Sequence, residues 1–214
     1  AASVKRSTAQ LIANDLLAVG FECQTLDAVP CAMARATAMV TDDKQIATLA
    51  VDLGYQQATI TLVQNGQPIL SRGIRNLGLL PLLEQIATSF EITLSDSKTL
   101  LFQATAGRTV PTDDQDQFTN PLQQVLNRYM HMLAMEIDKT IEYANRAYRT
   151  ITASQLLLMG DGCRIPSVQH ELASRVGLLT QIWSIGLSRN LFGEQQIASF
   201  AIAAGLSTLA WEAA

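Results

Sequence analysis

Charged residues are scarce in this sequence, and the positive ones are nowhere clustered. Asp, Glu, Lys and Arg make up only 16% of the 214 residues, and the formal net charge at pH 7 is −4. Because nucleic-acid-binding proteins neutralise phosphates with grouped Lys and Arg side chains, the composition argues against a nucleic-acid partner. Apolar residues, at 48%, are abundant enough to build a folded core.

Cysteine and histidine are also few. Cys23, Cys31 and Cys163 form an odd set without CxxC spacing, which argues against a disulfide framework or a zinc site and fits a reducing compartment. His131 and His170 are far apart in sequence, and His131 falls in a helical pattern. We therefore expect His131 to be a packed or surface residue, and we predict no metal site.

Long hydrophobic runs are missing as well. No segment reaches the ~18 apolar residues that a helix needs to cross a bilayer, and the most apolar stretch, residues 197–210, is predicted to be a buried helix. The first ten residues contain no apolar core of the kind that secretory signals have. The sequence thus predicts no direct membrane insertion.

The sequence does contain a regular alternation of strand and helix patterns. A mostly apolar run at residues 45–52 predicts a central strand, and Asn65-Gly66 predicts a tight hairpin turn. Pro68 cannot donate a ladder hydrogen bond, so it places the returning strand at an edge. The predicted sheet has strands at 46–52, 58–64, 67–74, 154–159 and 179–183, with a long helix at 122–148 packed on it.

Shorter signals predict the remaining elements. The apolar stripe of a first helix, at residues 4–19, consists of Leu11, Ile12, Leu16 and Leu17. Residues 21–26 are predicted to be a short strand, Ser95 to cap a helix, and residues 104–120 to form a loop. Further helices are predicted to begin at Pro30, at Pro166 and near Gln195. Leu133 and Leu157 fall on apolar sides of their elements and are expected in the core.

Two loops contain the residues from which a site can be built. VDLGYQQ at 51–57 and LLLMGDGCRIP at 156–166 each follow an apolar strand with small residues. Glycines at strand ends let the backbone approach a ligand closely, and exposed amides there can hold phosphate. Taken singly, Asp-x-Gly and Gly-x-Gly are more often ordinary turns, so both interpretations stay open at this point.

The order of these motifs resembles the second half of an actin-like ATPase fold. More narrowly, the chain resembles the PilM family of type IV pilus assembly proteins. The resemblance is carried by GFECQTLDAVPCAMARA (20–36), VDLGYQQATITLVQNGQPILSRGI (51–74), LLLMGDGCRIPSVQHELASRVGL (156–178) and FAIAAGLSTLA (200–210). It implies an α/β fold: an actin-like (ribonuclease H-like) second lobe, in which helices flank a mixed sheet, plus a remnant of the first lobe.

The resemblance also implies a division of the chain. Residues 1–44 correspond to the tail of the first lobe, residues 45–194 to the second lobe with a helical insertion at about 78–150, and residues 195–214 to a closing helix. The sequence contains neither an initiator Met nor the first phosphate loop of this fold, an Asp-x-Gly-x-Ser/Thr segment on the first strand. We therefore expect a fragment of a longer protein.

A degenerate nucleotide site is the third implication of the resemblance. Its residues are Asp52, Gly54, Gln56 and Gln57 from the second phosphate loop and Gly160, Asp161 and Gly162 from the adenosine loop. Glu136 and Lys139 on the long helix correspond to positions near the ribose. The chain departs from the family where Tyr55 and the two glutamines replace Ser or Thr. It departs again where Asn76-Leu77-Gly78 replaces Gly-Gly, and where an acidic residue separates the second pair of glycines.

From these departures we expect a non-catalytic scaffold of a type IV pilus or type II secretion-like inner-membrane platform. The resemblance implies a PilN-type partner and a cytoplasmic location, peripheral to the inner membrane through partners. No cofactor is expected in this chain, with ATP and Mg²⁺ left open for a longer form. Asp52 is then a vestigial carboxylate that accepts hydrogen bonds from the following turn.

Two other functional classes remain as alternatives. One is an actin-like ATPase or sugar-kinase relative, in which Asp52 orients a metal-bound water. The other is a cell-division actin homologue, which fits less well because residues 199–214 lack the basic side chains of an amphipathic membrane helix.

Overall fold

The computed structural model describes residues 4–43, 45–103, 116–149, 151–186 and 193–209. This part of the chain folds into strands and helices, with three short 3-10 turns at Arg75–Leu77, Asp161–Arg164 and Ala198–Phe200. The strands are β1 Thr48–Leu53, β2 Ala58–Gln64, β3 Gln67–Ile74, β4 Gln155–Met159 and β5 Leu179–Ile182. The helices are α1 Arg6–Ala18, α2 Val29–Ala38, α3 Leu79–Phe90, α4 Leu94–Gln103, α5 Asp116–Ala147, α6 Val168–Val176, α7 Glu194–Ile197 and α8 Ala201–Ser207.

The five strands form one mixed sheet in the order β3-β2-β1-β4-β5. β1 pairs antiparallel with β2 and parallel with β4, and β4 pairs parallel with β5. The apolar β1 lies at the centre and the Pro68-containing β3 at an edge, so all five predicted strands and both of these placements are confirmed. The hairpin turn is also confirmed, because Asn65 and Gly66 both have positive φ, at 54° and 70°.

Helices cover both faces of the sheet. On one face, α3, α5 and α6 pack on the inward residues of β1, β2 and β4, and Leu133 of α5 is fully buried there. On the other face, α2 and α8 cover a smaller cluster that includes Leu157 and Trp183. α8 approaches α2 so closely at Gly205 that a Cβ there would overlap the Ala32 carbonyl oxygen. Both leucines predicted to lie in the core are therefore buried.

Two of the smaller predictions are wrong. Residues 21–26 form no strand but an irregular segment, because they pair with none of the five strands. Helix α4 is capped by Thr93 rather than Ser95. The Thr93 hydroxyl accepts a hydrogen bond from the Asp96 backbone amide at 3.1 Å and donates one to the Asp96 carboxylate at 2.7 Å. A hydroxyl two residues earlier thus satisfies one of the first free amides of the helix.

Helix boundaries were harder to predict from sequence. α5 begins at Asp116 and passes through Pro121, so residues 116–120 are helical rather than part of a loop. A proline inside a helix removes one backbone hydrogen bond, which the remaining turns tolerate here. The rest of that predicted loop, residues 104–115, lies outside the described residues. The first helix is confirmed, but none of its residues is buried, and Leu11 and Leu17 of the stripe are 60% and 65% exposed.

Candidate functional site

The two glycine loops meet at the carboxyl ends of the neighbouring strands β1 and β4. β1 and β4 are parallel neighbours in which Asp52 is paired with Met159, so the segments that follow both strands leave the sheet side by side. This register places Gly160 beside Asp52 and Leu53 at the end of β1. The order of strands thus brings together the predicted residues of both loops.

The second loop fits tightly against the end of β1. Gly160 has φ +87°, and a Cβ there would overlap the Asp52 Oδ1 atom and lie 2.8 Å from the Leu53 carbonyl oxygen. A Cβ at Gly162 would lie 2.5 Å from the Leu53 Cβ. The chain's own packing therefore requires both glycines, and the space that a side chain would fill is taken by protein atoms.

The first loop is held by helix α3. The amides of Leu79 and Leu80, the first two of that helix, donate to the carbonyl oxygens of Gly54 and Tyr55 at 3.0 Å and 2.7 Å. These are two of the amides that a helix N-terminus otherwise offers to an anion. The loop carbonyls therefore occupy two of the donors that this helix N-terminus would otherwise offer to an anion.

The two glutamines complete this packing. A Cβ at Gly78 would lie 2.5 Å from the Gln57 amide nitrogen, so the chain after β3 presses on the Gln56–Gln57 peptide. The Gln57 side chain extends over Gly73 of β3, where a Cβ would lie 3.4 Å from its terminal atoms. Gly78, which the sequence showed only as a departure from a Gly-Gly pair, is therefore needed for the loop's position.

The carboxylate of Asp52 is the site's main electrostatic feature. Burial, and then the negative charge of Asp161, raise its pKa from 3.8 to about 6. Burial and the charges of Asp52 and Asp161 likewise raise the pKa of the Cys163 thiol. No amide of the following turn donates to the Asp52 carboxylate in the described part of the chain, so the expected turn hydrogen bond is not formed there. Its side chain points across to the second loop instead.

The raised pKa predicts that Asp52→Asn stabilises the protein at neutral pH. A carboxyl with a raised folded-state pKa contributes stability below pH 3.8 and loses it as the pH rises through about 6. The variant should therefore match the parent at pH 3 and exceed its free energy of unfolding by ~2 kcal/mol at pH 8. Urea denaturation at both pH values measures this difference.

The exposed Asp15 of α1 supplies the matched control, since Asp15→Asn removes the same charge where nothing is packed around it. Equal stability of the Asp52 variant and the parent at pH 8 would show that this carboxylate is not destabilised. A loss of stability at pH 8 would show that it has a hydrogen-bond partner after all.

Glu136 and Lys139, which the resemblance placed near a ribose, lie apart from the loops, on α5 beside β3. Glu136 forms an ion pair with Arg72 of β3 and accepts a hydrogen bond from Lys139 at 2.7 Å. The hydrogen bonds from Lys139 and Arg72 lower the pKa of the Glu136 carboxyl. Arg72 was not predicted as a site residue, although strand alternation places it on the same face as Leu70 and Ile74, where a charge is unusual.

A nucleotide fits the described residues poorly. At the loops, the glycine faces are packed against protein atoms, two helix amides are bonded to loop carbonyls, and Asp161 places a second negative charge beside Asp52. Among the described residues no group of three or more His, Cys, Asp and Glu side chains is arranged to hold a metal ion. Nor is any helix within the described ranges both long and apolar enough to cross a bilayer.

Comparison with known proteins gives a family match. The model of the family described as "Type IV pilus assembly protein PilM" matches residues 15–208. No curated protein sequence matches the chain significantly.

Solved structures with the same architecture share little sequence with this chain. A PilM-PilN type IV pilus biogenesis complex superposes with a TM-score of 0.73 and 18% identity, over 94% of this chain and 57% of the other. The ethanolamine utilization protein EutJ from Carboxydothermus hydrogenoformans gives 0.67 and 16%, over 96% and 61%. MreB 5 of Spiroplasma citri bound to AMPPNP gives 0.66 and 12%, over 99% and 66%. The chain thus has the actin-like fold and spans about three fifths of the length of these proteins.

Proposed function

The chain belongs to the PilM family of type IV pilus assembly proteins, and on this premise we propose that it is a non-catalytic scaffold that docks a PilN-type partner. The observation that carries the proposal is the family match over residues 15–208, together with the similarity to a PilM that was solved in complex with PilN. The proposed place of action is the cytoplasmic face of the inner membrane, where the partner would hold the scaffold.

Self-packing of the two loops supports the absence of catalysis. Phosphoryl chemistry needs donors and a cation around the phosphates to neutralise the charge that develops during transfer. Here the Leu79 and Leu80 amides are already bonded to loop carbonyls, and Asp161 adds a second negative charge beside Asp52. Gln56 and Gln57 stand where hydroxyl groups would serve. A polyphosphate would meet repulsion rather than stabilisation.

An actin-like ATPase is the second candidate, and one observation favours it. Asp52 is a half-buried carboxylate with a raised pKa and no hydrogen-bonding partner in the described part of the chain. Such groups cost stability and cluster at functional sites, where a ligand or metal offsets the cost. The two functions differ in whether Mg-ATP binds at all.

Calorimetry with the complete gene product tests both candidates. The first titrant is the synthetic cytoplasmic segment of the PilN-type protein from the same genome, and the second is Mg-ATP. We expect the segment to bind with a micromolar or lower Kd, and Mg-ATP to give no binding heat and no phosphate release. Asp52→Asn should leave both results unchanged, because the carboxylate has no ligand in this proposal.

The outcomes separate the two functions. Micromolar Mg-ATP binding that Asp52→Asn abolishes would overturn the non-catalytic proposal in favour of a working nucleotide site. Failure of the PilN-type segment to bind, with the protein folded by circular dichroism, would overturn the docking proposal.

A further inference from the structure

A groove separates the free edge of β3 from helix α5. Its volume is about 390 Å³, within the range of pockets that hold ligands. The strand side is formed by Leu70, Ser71 and Arg72, and the helix side by Lys139, Thr140 and Tyr143. The Tyr148 hydroxyl donates to the Ile69 carbonyl oxygen at 3.4 Å, which ties the strand to the helix beyond the groove.

The strand side of the groove exposes main chain rather than side chain at its middle residue. The Ser71 hydroxyl is bonded to Thr61 at 2.9 Å, and Thr61 in turn contacts Met33 of α2 on the opposite face of the sheet. Ser71 therefore borders the groove with its backbone. Because β3 is the edge of the sheet, backbone groups on its outer side have no strand partner among the described residues.

Two of the devices that usually protect edge strands, a proline and a bulge, are confined to the other end of β3, and the charge of Arg72 on this half is paired with Glu136. Edge strands are commonly shielded from pairing by proline, bulges or charges. Here Pro68 and the irregular register at Leu62 and Val63 lie next to the hairpin turn. From Leu70 to Gly73 the register is regular and contains no proline, so this half of the strand can still pair with another strand.

The charge beside this half of the strand is positive. Arg72 and Lys139 share the single carboxylate of Glu136, and their side chains remain 40% and 56% exposed. The cluster therefore has a net charge of one positive unit. Of the other acids on this part of α5, Asp138 lies on the opposite side of the helix from Glu136. Glu142 is three residues beyond Lys139, and its carboxylate is paired with Arg146 at 3.2 Å. A carboxylate at the groove would gain a charge-assisted hydrogen bond.

We propose that this groove binds an extended acidic peptide segment of a partner protein, which adds to β3 as a sixth strand. Main-chain hydrogen bonds to the Leu70–Gly73 stretch supply affinity, as in other cases of strand addition. Specificity comes from an acidic side chain placed at Arg72 and Lys139 and an apolar one placed on Leu70 and Tyr143. The proposal does not depend on a PilN-type partner, because its test uses selected peptides.

The test begins with selection of random heptapeptides displayed on phage against the chain. The enriched peptide is then synthesised with fluorescein, and its Kd is measured by fluorescence polarisation. We expect the enriched peptide to contain an acidic residue flanked by β-branched residues and to bind the chain with a micromolar Kd. Lys139→Glu should weaken binding at least tenfold, whereas Lys98→Glu, the same reversal at an exposed site on α4, should not change it.

Strand addition has a second signature that does not depend on a protein variant. Methylating the backbone nitrogens of alternate peptide residues should abolish binding in one register and preserve it in the other, because only one set of amides faces β3. The proposal is overturned if no peptide is enriched, if Lys139→Glu and Lys98→Glu behave alike, or if both methylation patterns bind equally.

Discussion

Gly160→Ala should cost the protein more than about 3 kcal/mol of its free energy of unfolding. Gly160 has φ +87° and ψ 174°, a region of backbone conformation that is essentially restricted to glycine. In addition, the new Cβ would overlap the Asp52 carboxylate and the Leu53 backbone, neither of which can move without displacing the end of β1. The strain and the overlap act together, so the two glycine loops should separate.

Gly177→Ala is the matched control for this variant. Gly177 also has a positive φ, at +71°, but a Cβ there would meet nothing within 4 Å. Its replacement should therefore cost only the backbone term, ~1 kcal/mol. Urea denaturation of both variants measures the difference between their free energies of unfolding. Insoluble expression of Gly160→Ala, with Gly177→Ala soluble, would also show that the first variant is the more destabilised. Equal costs would show that the loops do not pack as described.

Leu133→Ala should destabilise the protein by ~2–5 kcal/mol, a large part of the ~5–15 kcal/mol that stabilises a typical domain. Leu133 is fully buried in the cluster between α5 and the sheet, where the surrounding strands cannot collapse into a cavity. Leu157→Ala, on the opposite face, should fall in the same range because this side chain is 6% exposed. Thermal and urea unfolding measure both effects.

An exposed leucine provides the comparison for both core variants. Leu17→Ala removes the same atoms from α1, where the side chain is 65% exposed, and should change stability by less than about 0.5 kcal/mol. If Leu133→Ala and Leu17→Ala unfold at the same denaturant concentration, α5 does not cover the sheet as described.

The sequence by itself determined the elements of the sheet and the position of its edge. An apolar run made β1 central, Asn65-Gly66 set the hairpin, and Pro68 placed β3 at the edge, because each is a local property of the backbone or of residue spacing. Motif order also indicated the actin-like fold. The predicted helix boundaries were wrong at Thr93 and in the region of Pro121. Capping and helix continuation there depend on small energies that several neighbouring residues can supply.

Tertiary structure alone decided how the candidate site is built. Nothing in the sequence shows that Gly160 fits against Asp52, that helix α3 donates to the Gly54 carbonyl, or that Arg72 reaches Glu136 across 64 positions. The raised pKa of Asp52 has the same origin, since burial and the charge of Asp161 arise only when two strands lie side by side. Periodicity and turn chemistry act between neighbours in the chain, whereas close packing and electrostatic coupling act between atoms that only folding brings together.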